Sequence, residues 1–551
     1  MEAIFLPLKI SFSLTGLLAL NICFLLATLT SLFLLNKYDK TAKFQPTFIT
    51  MIFFVVFFQM PSVVFTETLQ INLPSYHIFY TYIYLIPISC VLFLFFSKKF
   101  RQDYSPQATQ SVADSSLFRM AFFSIVVLAI FLAAFFYIIG PRCTGLFALL
   151  FDPEVTLLAR EASTKLTKGS ISTLLFGLLS NTICPLVVGI SLHALVHDKK
   201  QNKIFAKKIF YFSLILIALI TTLIPGAKGG ILPIGISTLT LCLFLINDFK
   251  FKVIAFFTTI VFITLTLISF EIVKERQLAK QLVKYDYGYC AKRSNACAAA
   301  NDLLLSLKHR SNSLGFSDER LKELQDSLTM KCELEAGILP STLDFKAPPT
   351  DIDPKYLPYS YSSGLINNVP PFAQRSFVYF EAIIYRVIVT PFQVSTWHYL
   401  YGLTKKVNFF NSLPLFKFSK GYKDIPNLIN IEYGAIFSGG SQVSTSTAPT
   451  TFLIAYPAYW SGFGLLFGLL CLFSFDFSYT ATLRKAPRFI KQISTGLIAV
   501  ICMNFMLTDF FTAMISLGGL FSIILVYVYK RISAIPVTNH LPDHQNHVEN
   551  R

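Results

Sequence analysis

The chain has 551 residues, of which 54% are hydrophobic and 14% charged, with a mean hydropathy of +0.58. Soluble domains carry roughly a quarter charged residues, so this balance excludes an ordinary soluble protein and points to a polytopic membrane protein. The formal charge of +17 flanks apolar runs, which argues against a nucleic-acid partner.

A transmembrane helix needs about 20 mostly apolar residues. By that measure about 11 spans (10–12) fall near 10–35, 47–65, 77–97, 119–140, 172–196, 208–226, 230–247, 252–272, 451–475, 492–508 and 511–530. The opening stretch "MEAIFLPLKISFSL" has an acidic residue ahead of its lysine and leads to no small-residue cleavage site, so it reads as a retained span rather than a signal peptide. The fold expected is therefore all-α and polytopic.

Short-loop cations orient the set. Lys37, Lys40 and Lys43 follow the first span, and Lys98, Lys99, Arg101 and Arg119 lie between the third and fourth. Lys199, Lys200, Lys203, Lys207 and Lys208 precede the sixth, and Arg484, Lys485, Arg488 and Lys491 the tenth. The intervening loop "TETLQINLPSY" has none. Alternate loops are thus expected in the cytoplasm, with the amino terminus on the far side.

This divides the chain into helices one to eight over 1–272, a large outer segment at 273–450 between helices eight and nine, the last helices over 451–530, and a disordered cytoplasmic tail at 531–551. Three regions come out on the far side: the loop 141–171, the turn around Lys228, and 273–450. The last is too long for a connection and reads as a small domain or lid. Within it "DERLKELQDSLTMKCELE" has helical spacing, and "DFKAPPTDIDPKYLPYSYSSGLINNVPPF" should be extended. The stretch "RSFVYFEAIIYRVIVTPFQVSTWHYLYGL" reads as an aromatic helix broken near Pro391. Its polar stripe of Arg375, Tyr379, Arg386 and Gln393 favours lying in the membrane interface. Cys143, Cys290, Cys297 and Cys332 all fall on the outer side, where pairs can form disulfides in an oxidising compartment. The other six cysteines lie within spans.

There is no Walker phosphate loop, dinucleotide fingerprint, HExxH or CxxC, and no cytoplasmic loop is large enough for a nucleotide-using domain. Neither a cofactor nor a metal is expected. His540, His544 and His547 sit in the tail and do not change this. The outer cations hold the interest. Lys228 lies in "TTLIPGAKGGILPIG", where glycines let a backbone or ligand approach closely. It reads either as a snorkelling lysine at a helix end or as a cation facing phosphate. Arg160 follows an apolar run, with Lys165 and Lys168 beyond it, and Glu161 has Lys165 one helical turn on as a partner. Arg375 and Arg386 are further candidates. Guanidinium and ammonium groups at an outer leaflet suit a lipid diphosphate, because arginine pairs bidentately with phosphate oxygens and the developing charge on the leaving group is neutralised.

The segments "LLAREASTKLTKGSISTLLFGLLSNTICPLVVGISL", "TTLIPGAKGGILPIGIS" and "SQVSTSTAPTTFLIAYPAYWSGFGLLFGLL" resemble the ordered landmarks of the bacterial O-antigen polymerases. The likeness covers 155–245 and 370–475. The segment "AYWSGFGLLFG" departs from the family's commoner aromatic-glycine wording, and 273–370 has no counterpart in it. The resemblance implies a GT-C-like membrane glycosyltransferase in the bacterial inner membrane, with 273–450 in the periplasm. It would join undecaprenyl-diphosphate-linked repeat units into O-antigen or a related surface polysaccharide, using lipid-linked oligosaccharide donor and acceptor, with a chain-length regulator as a possible protein partner. By the same resemblance Arg160 and Lys228 match the family's basic positions and would hold diphosphate, and Arg386 matches its outer-helix arginine less closely.

The transfer also needs a base for the acceptor hydroxyl. The candidates are Glu161, Glu381, His398 and Glu432, and for His398 an interface role beside Trp397 and Tyr399 is the alternative. Two other readings of the whole chain stay open: an O-antigen ligase, whose usual outer-loop histidine motif is not evident, and a lipid-linked oligosaccharide flippase or transporter. A flippase should carry charged residues deep inside several spans, and the spans as drawn are almost free of them.

Overall fold

The computed structural model describes residues 14–39, 42–64, 76–97, 114–152, 158–159, 171–197, 204–224, 230–245, 461–484, 486–508 and 510–534, with a helical run at 322–328 and scattered helical positions elsewhere between 290 and 428. Among them every regular element is helical and there is no strand. In a medium without water each backbone N–H and C=O must be satisfied within its own segment, and the α-helix does this for long apolar runs.

The first helix, α1, is Leu14–Tyr38. Helix α2 runs Pro46–Phe54, passes through a π-turn at Val55–Gln59 and ends with Met60–Val64. Then come α3 (Tyr76–Phe96), α4 (Asp114–Ile139) and the short α5 (Gly145–Phe151). Helix α6 is Ile171–Leu178, a π-turn at Leu179–Ile183, and Cys184–His197. Helices α7 (Ile204–Leu223) and α8 (Ile231–Leu245) follow. The carboxyl-terminal group is α9 (Ser461–Leu483), α10 (Arg488–Leu507), a π-turn at Thr512–Ser516 and α11 (Gly519–Ala534). Seven of the described helices (α1, α2, α4, α6, α7, α9 and α10) are long and apolar enough to cross a membrane. Helix α4, at 26 residues, is about 39 Å long against a hydrocarbon core of ~30 Å. The chain is a multi-pass, all-α membrane protein.

Helix α10 is the central post. Of its apolar window 94% is buried by protein, against 17% for α1 and 22% for α4. It packs on α2, α6, α8 and α11. The peripheral helices instead present large apolar side chains outward, among them Leu26 and Phe33 on α1 and Phe122 and Ile130 on α4, as lipid contact requires.

Hydrogen bonds align the helix ends. At one end Ser124 of α4 bonds Tyr529 of α11 at 2.6 Å, and Lys530 donates to the Thr482 carbonyl at 3.0 Å and the Arg484 carbonyl at 2.5 Å, closing the last turn of α9. At the other end Leu146 of α5 donates its N–H to the Ile224 carbonyl, just past α7, at 2.9 Å. The first end therefore gathers Arg119, Lys207, Lys208, Arg484 and Lys530, and the second holds Cys143. This is the alternation that the loop cations predict.

Two helices depart informatively from the expected spans, and the eighth span (252–272) lies outside the described residues. The ninth was expected to end at 475, yet α9 continues to Leu483, where four of its polar side chains find partners. Ser478 and Thr482 bond back to the carbonyls four residues earlier at 2.8 and 2.9 Å, and Asp476 and Thr480 bond across to the chain at the start of α2. The last span is broken where the π-turn meets Gly518, which has φ +87°. A Cβ there would lie 2.2 Å from Thr182 Oγ1, and that hydroxyl contacts the Leu517 and Gly518 carbonyls at 3.4 Å. The π-turns of α6 and of the α10–α11 connection are thereby packed on one another.

Gly518→Ala combines a left-handed backbone with a steric clash and should destabilise the protein by about 1–3 kcal/mol. Thermal unfolding in detergent, compared with the parent, measures it.

Candidate functional site

The end opposite the basic loops is built from the break after α4. Gly140 at φ 81° turns the chain into a 3-10 turn at Pro141–Cys143. Thr144 then starts α5: its hydroxyl donates to the Pro141 carbonyl at 2.8 Å and accepts from the Phe147 N–H at 3.4 Å, as a threonine N-cap does. Cys143 is bonded to Cys290 across 147 residues of chain, with the Cα atoms 5.6 Å apart. Cys297 is disulfide-bonded as well, whereas Cys23, Cys90, Cys184, Cys242, Cys471 and Cys502 are free thiols. The sequence left pairing of the outer cysteines open; Cys143, Cys290 and Cys297 are bonded, and the six free thiols all fall in the expected spans. Cys332 lies outside the described residues.

The same end receives the chain around the glycine-rich turn. The Leu146–Ile224 bond ties α5 to the residue that ends α7. Beyond the turn, Gly230 sits where a Cβ would approach the Thr222 carbonyl to 2.4 Å, so only glycine lets α8 begin that close to the last turn of α7. Leu158 and Ala159, immediately before Arg160, are helical and fully buried in the main apolar core together with Cys143, Ile224 and Cys290.

Arg160, Glu161, Lys228, Arg375, Glu381, Arg386 and Glu432 lie outside the described residues. His398 is described. It is helical and 1% exposed, in line with buried Phe392, Val394 and Ser395. Ser395 donates to the Pro391 carbonyl at 2.6 Å, and Phe392 belongs to the second apolar core with Leu32, Phe48, Leu469 and Met503. This part of the long segment is packed into the bundle, and His398 is enclosed by protein.

A second set of polar groups was not foreseen. Asp476 is 3% exposed, about 10 Å in from the end of α9. Its Oδ2 accepts the Thr47 N–H at 2.8 Å. Helix α2 opens with Pro46, which has no N–H, and Gln45 makes no side-chain cap, so Thr47 is the first donor left over at that end. A carboxylate from another helix supplies the missing cap and sits favourably at the positive end of the dipole. The signal in the sequence was Asp476 standing between phenylalanines in "LFSFDFSY", immediately beyond the expected end of the span at 475.

Farther toward the disulfide end, Asn504 of α10 donates to Asn181 Oδ1 at 3.0 Å. Asn181 Nδ2 bonds the Gly177 carbonyl and Ser180 Oγ at 3.0 Å each. Beside α1, Gln59 Nε2 donates to Thr28 Oγ1 at 3.0 Å, Asn21 Nδ2 to the Ser62 carbonyl at 3.2 Å, and the Tyr84 hydroxyl to Asn21 Oδ1. Two of the three π-turns, each able to offer widened backbone to a side chain, lie in these networks. Among the described residues no group of three His, Cys, Asp or Glu side chains is placed to hold a metal.

No family model, curated protein or solved structure matches the chain. The class defined by fold and composition is thus the multi-pass α-helical membrane protein, with an oxidised end and a basic end.

The disulfide closes a loop of 147 residues, a constraint worth up to about 5 kcal/mol in the chain-entropy model. Cys143→Ser should lower thermal stability by a few kcal/mol at most and change mobility on a non-reducing gel. Both are read on purified protein.

Proposed function

We propose that the protein is a membrane glycosyltransferase that joins lipid-diphosphate-linked oligosaccharide repeats into a surface polysaccharide, of the O-antigen polymerase kind, at the outer face of a bacterial inner membrane. The reading includes the eleven-helix GT-C-like arrangement and a periplasmic segment at 273–450. One observation carries it. The disulfide Cys143–Cys290 and the Leu146–Ile224 bond bring the starts of loop 141–171, the Lys228 turn and the long segment to a single end of the bundle. Those are the three regions that carry Arg160, Lys228, Arg375 and Arg386, and a disulfide belongs to an oxidising compartment.

In this mechanism Arg160 and Lys228 grip the diphosphate of the donor, with Arg375 and Arg386 as further cations. They neutralise charge as the sugar–phosphate bond breaks. Glu161, Glu381 or His398 takes the proton from the acceptor hydroxyl as the new glycosidic bond forms. The lipid diphosphate is the leaving group and no nucleotide is consumed. An exposure of only 1% makes His398 the weakest of the three, since a base must reach the acceptor.

One observation favours a second reading. Buried Asp476 and Lys491, 3% and 7% exposed on two spans, are the charged residues that a transporter of lipid-linked sugars is expected to carry. Deleting the gene separates the readings. Single-repeat lipopolysaccharide marks a polymerase, core without any repeat a ligase, and cytoplasmic-side accumulation of lipid-linked repeats a flippase.

Arg160→Ala and Lys228→Ala should each shorten or abolish polymer at unchanged protein level, read as the ladder of glycan lengths on a gel. Full-length polymer from both variants removes them from the site.

A further inference from the structure

Where the two apolar cores meet, α6 and α10 share a pair of amides. Asn181 lies between Leu179 and Ile183 of the main core, and Asn504 between Met503 and Phe505 of the second. They are 8% and 7% exposed. The bonds of Asn181 fix how both amides are turned. The Gly177 carbonyl can only accept, so the group 3.0 Å from it is Asn181 Nδ2. Asn181 Oδ1 therefore faces α10, and the Asn504 atom 3.0 Å away must be Nδ2. Turning over either amide, or both, sets oxygen against oxygen at one of these contacts.

Asn504 Oδ1 is thereby aimed away from Asn181, and among the described residues it accepts no hydrogen bond. An acceptor left open on a residue more than nine-tenths buried calls for a donor from outside the chain. Asn181 stands on the π-turn Leu179–Ile183, a distortion frequent at functional sites.

The open oxygen lies at the outer end of the bundle. Gly496 of α10 approaches α8 so closely that a Cβ there would fall 2.7 Å from Ser237 Oγ. From that contact Asn504 is about 12 Å along α10, and Ile231 about 9 Å back along α8. Asn504 thus stands level with the start of α8, where the glycine-rich turn delivers the chain. Helix α10 stops at Leu507. Beyond it Thr508, Phe510, Phe511 and Thr512 are partly exposed, a rim of hydroxyls and aromatic rings.

We propose that Asn504 is a sugar-binding residue, its side-chain oxygen accepting a hydroxyl of the glycan borne by the lipid diphosphate, with Asn181 positioning it. This contact presupposes the polymerase reading and adds to it a hold on the glycan, where Arg160 and Lys228 address the phosphates. A lipid tail has no donor to offer that oxygen, and an ionised diphosphate has only acceptors. Sugar hydroxyls supply the donor, and the apolar C–H faces of a sugar ring suit the neighbouring phenylalanines.

Titration calorimetry of the full-length protein in lipid nanodiscs tests this with two probes. One is undecaprenyl diphosphate, the other the repeat-linked lipid extracted from cells lacking the gene. The wild type should bind the glycan-bearing lipid more tightly than the bare one. Asn504→Ala should bind the glycan-bearing lipid about two- to tenfold more weakly, as loss of one neutral hydrogen bond implies, and the bare lipid as before. Asn504→Gln keeps an amide near Asn181 but moves the oxygen, and should show the same selective loss; it decides if Asn504→Ala does not fold. A wild type that does not distinguish the two lipids, or variants that weaken both equally or neither, overturn the sugar contact alone and leave that oxygen to an ordered water. A wild type that binds neither lipid overturns the polymerase reading, and the contact with it.

Discussion

A bilayer interior has no water to hydrogen-bond a stray polar group, and each one left unpaired there costs several kcal/mol. The bond from Asp476 to the Thr47 N–H is the sharpest answer to that constraint. Pro46 opens α2 without an N–H, the next donor needs an acceptor, and a carboxylate two-thirds of the way along α9 provides it. One contact thereby sets where α2 begins and which face of α9 turns inward. Through Gln45 and Thr480 it also holds the chain leading into α2.

The same constraint accounts for several other polar residues of the interior. Asn181 and Asn504 pair with each other, Gln59 uses Thr28, and Asn21 uses the Ser62 carbonyl. Serines and threonines of α9, α10 and α11 return to their own backbone, as with Ser494 on the Ile490 carbonyl at 2.6 Å and Ser522 on the Gly519 carbonyl at 2.6 Å. Such pairs add modest energy each but restrict how neighbouring helices rotate, since a small rotation breaks them. They are the reason that α10, with four helices around it, has a defined face toward each.

Chemistry and topology meet at the two ends of the bundle. One collects lysines and arginines, the other a disulfide, and the opposition agrees with a chain threaded by the positive-inside rule. The disulfide does more than brace. It joins the connection after α4 to the beginning of the longest polar segment, so two regions far apart in the chain are tied together at the end of the bundle where α7 finishes.

Hydropathy and loop charge alone determined the all-helical class, the placing of nearly every described span and the alternation of ends, because each depends on local apolar length and on charges next to it. The outer position of Cys143 and Cys290 followed from the same count. Their pairing did not, because a sequence carries no distance between residues 147 positions apart. Nor did the true extent of α9, whose polar residues look disruptive until their partners on α2 are known. Tertiary structure decided which helix is enclosed, which glycine must remain glycine, and that a lone aspartate among phenylalanines is a cap. All three are relations between segments, and the energy of a buried polar group depends on what the fold sets opposite it.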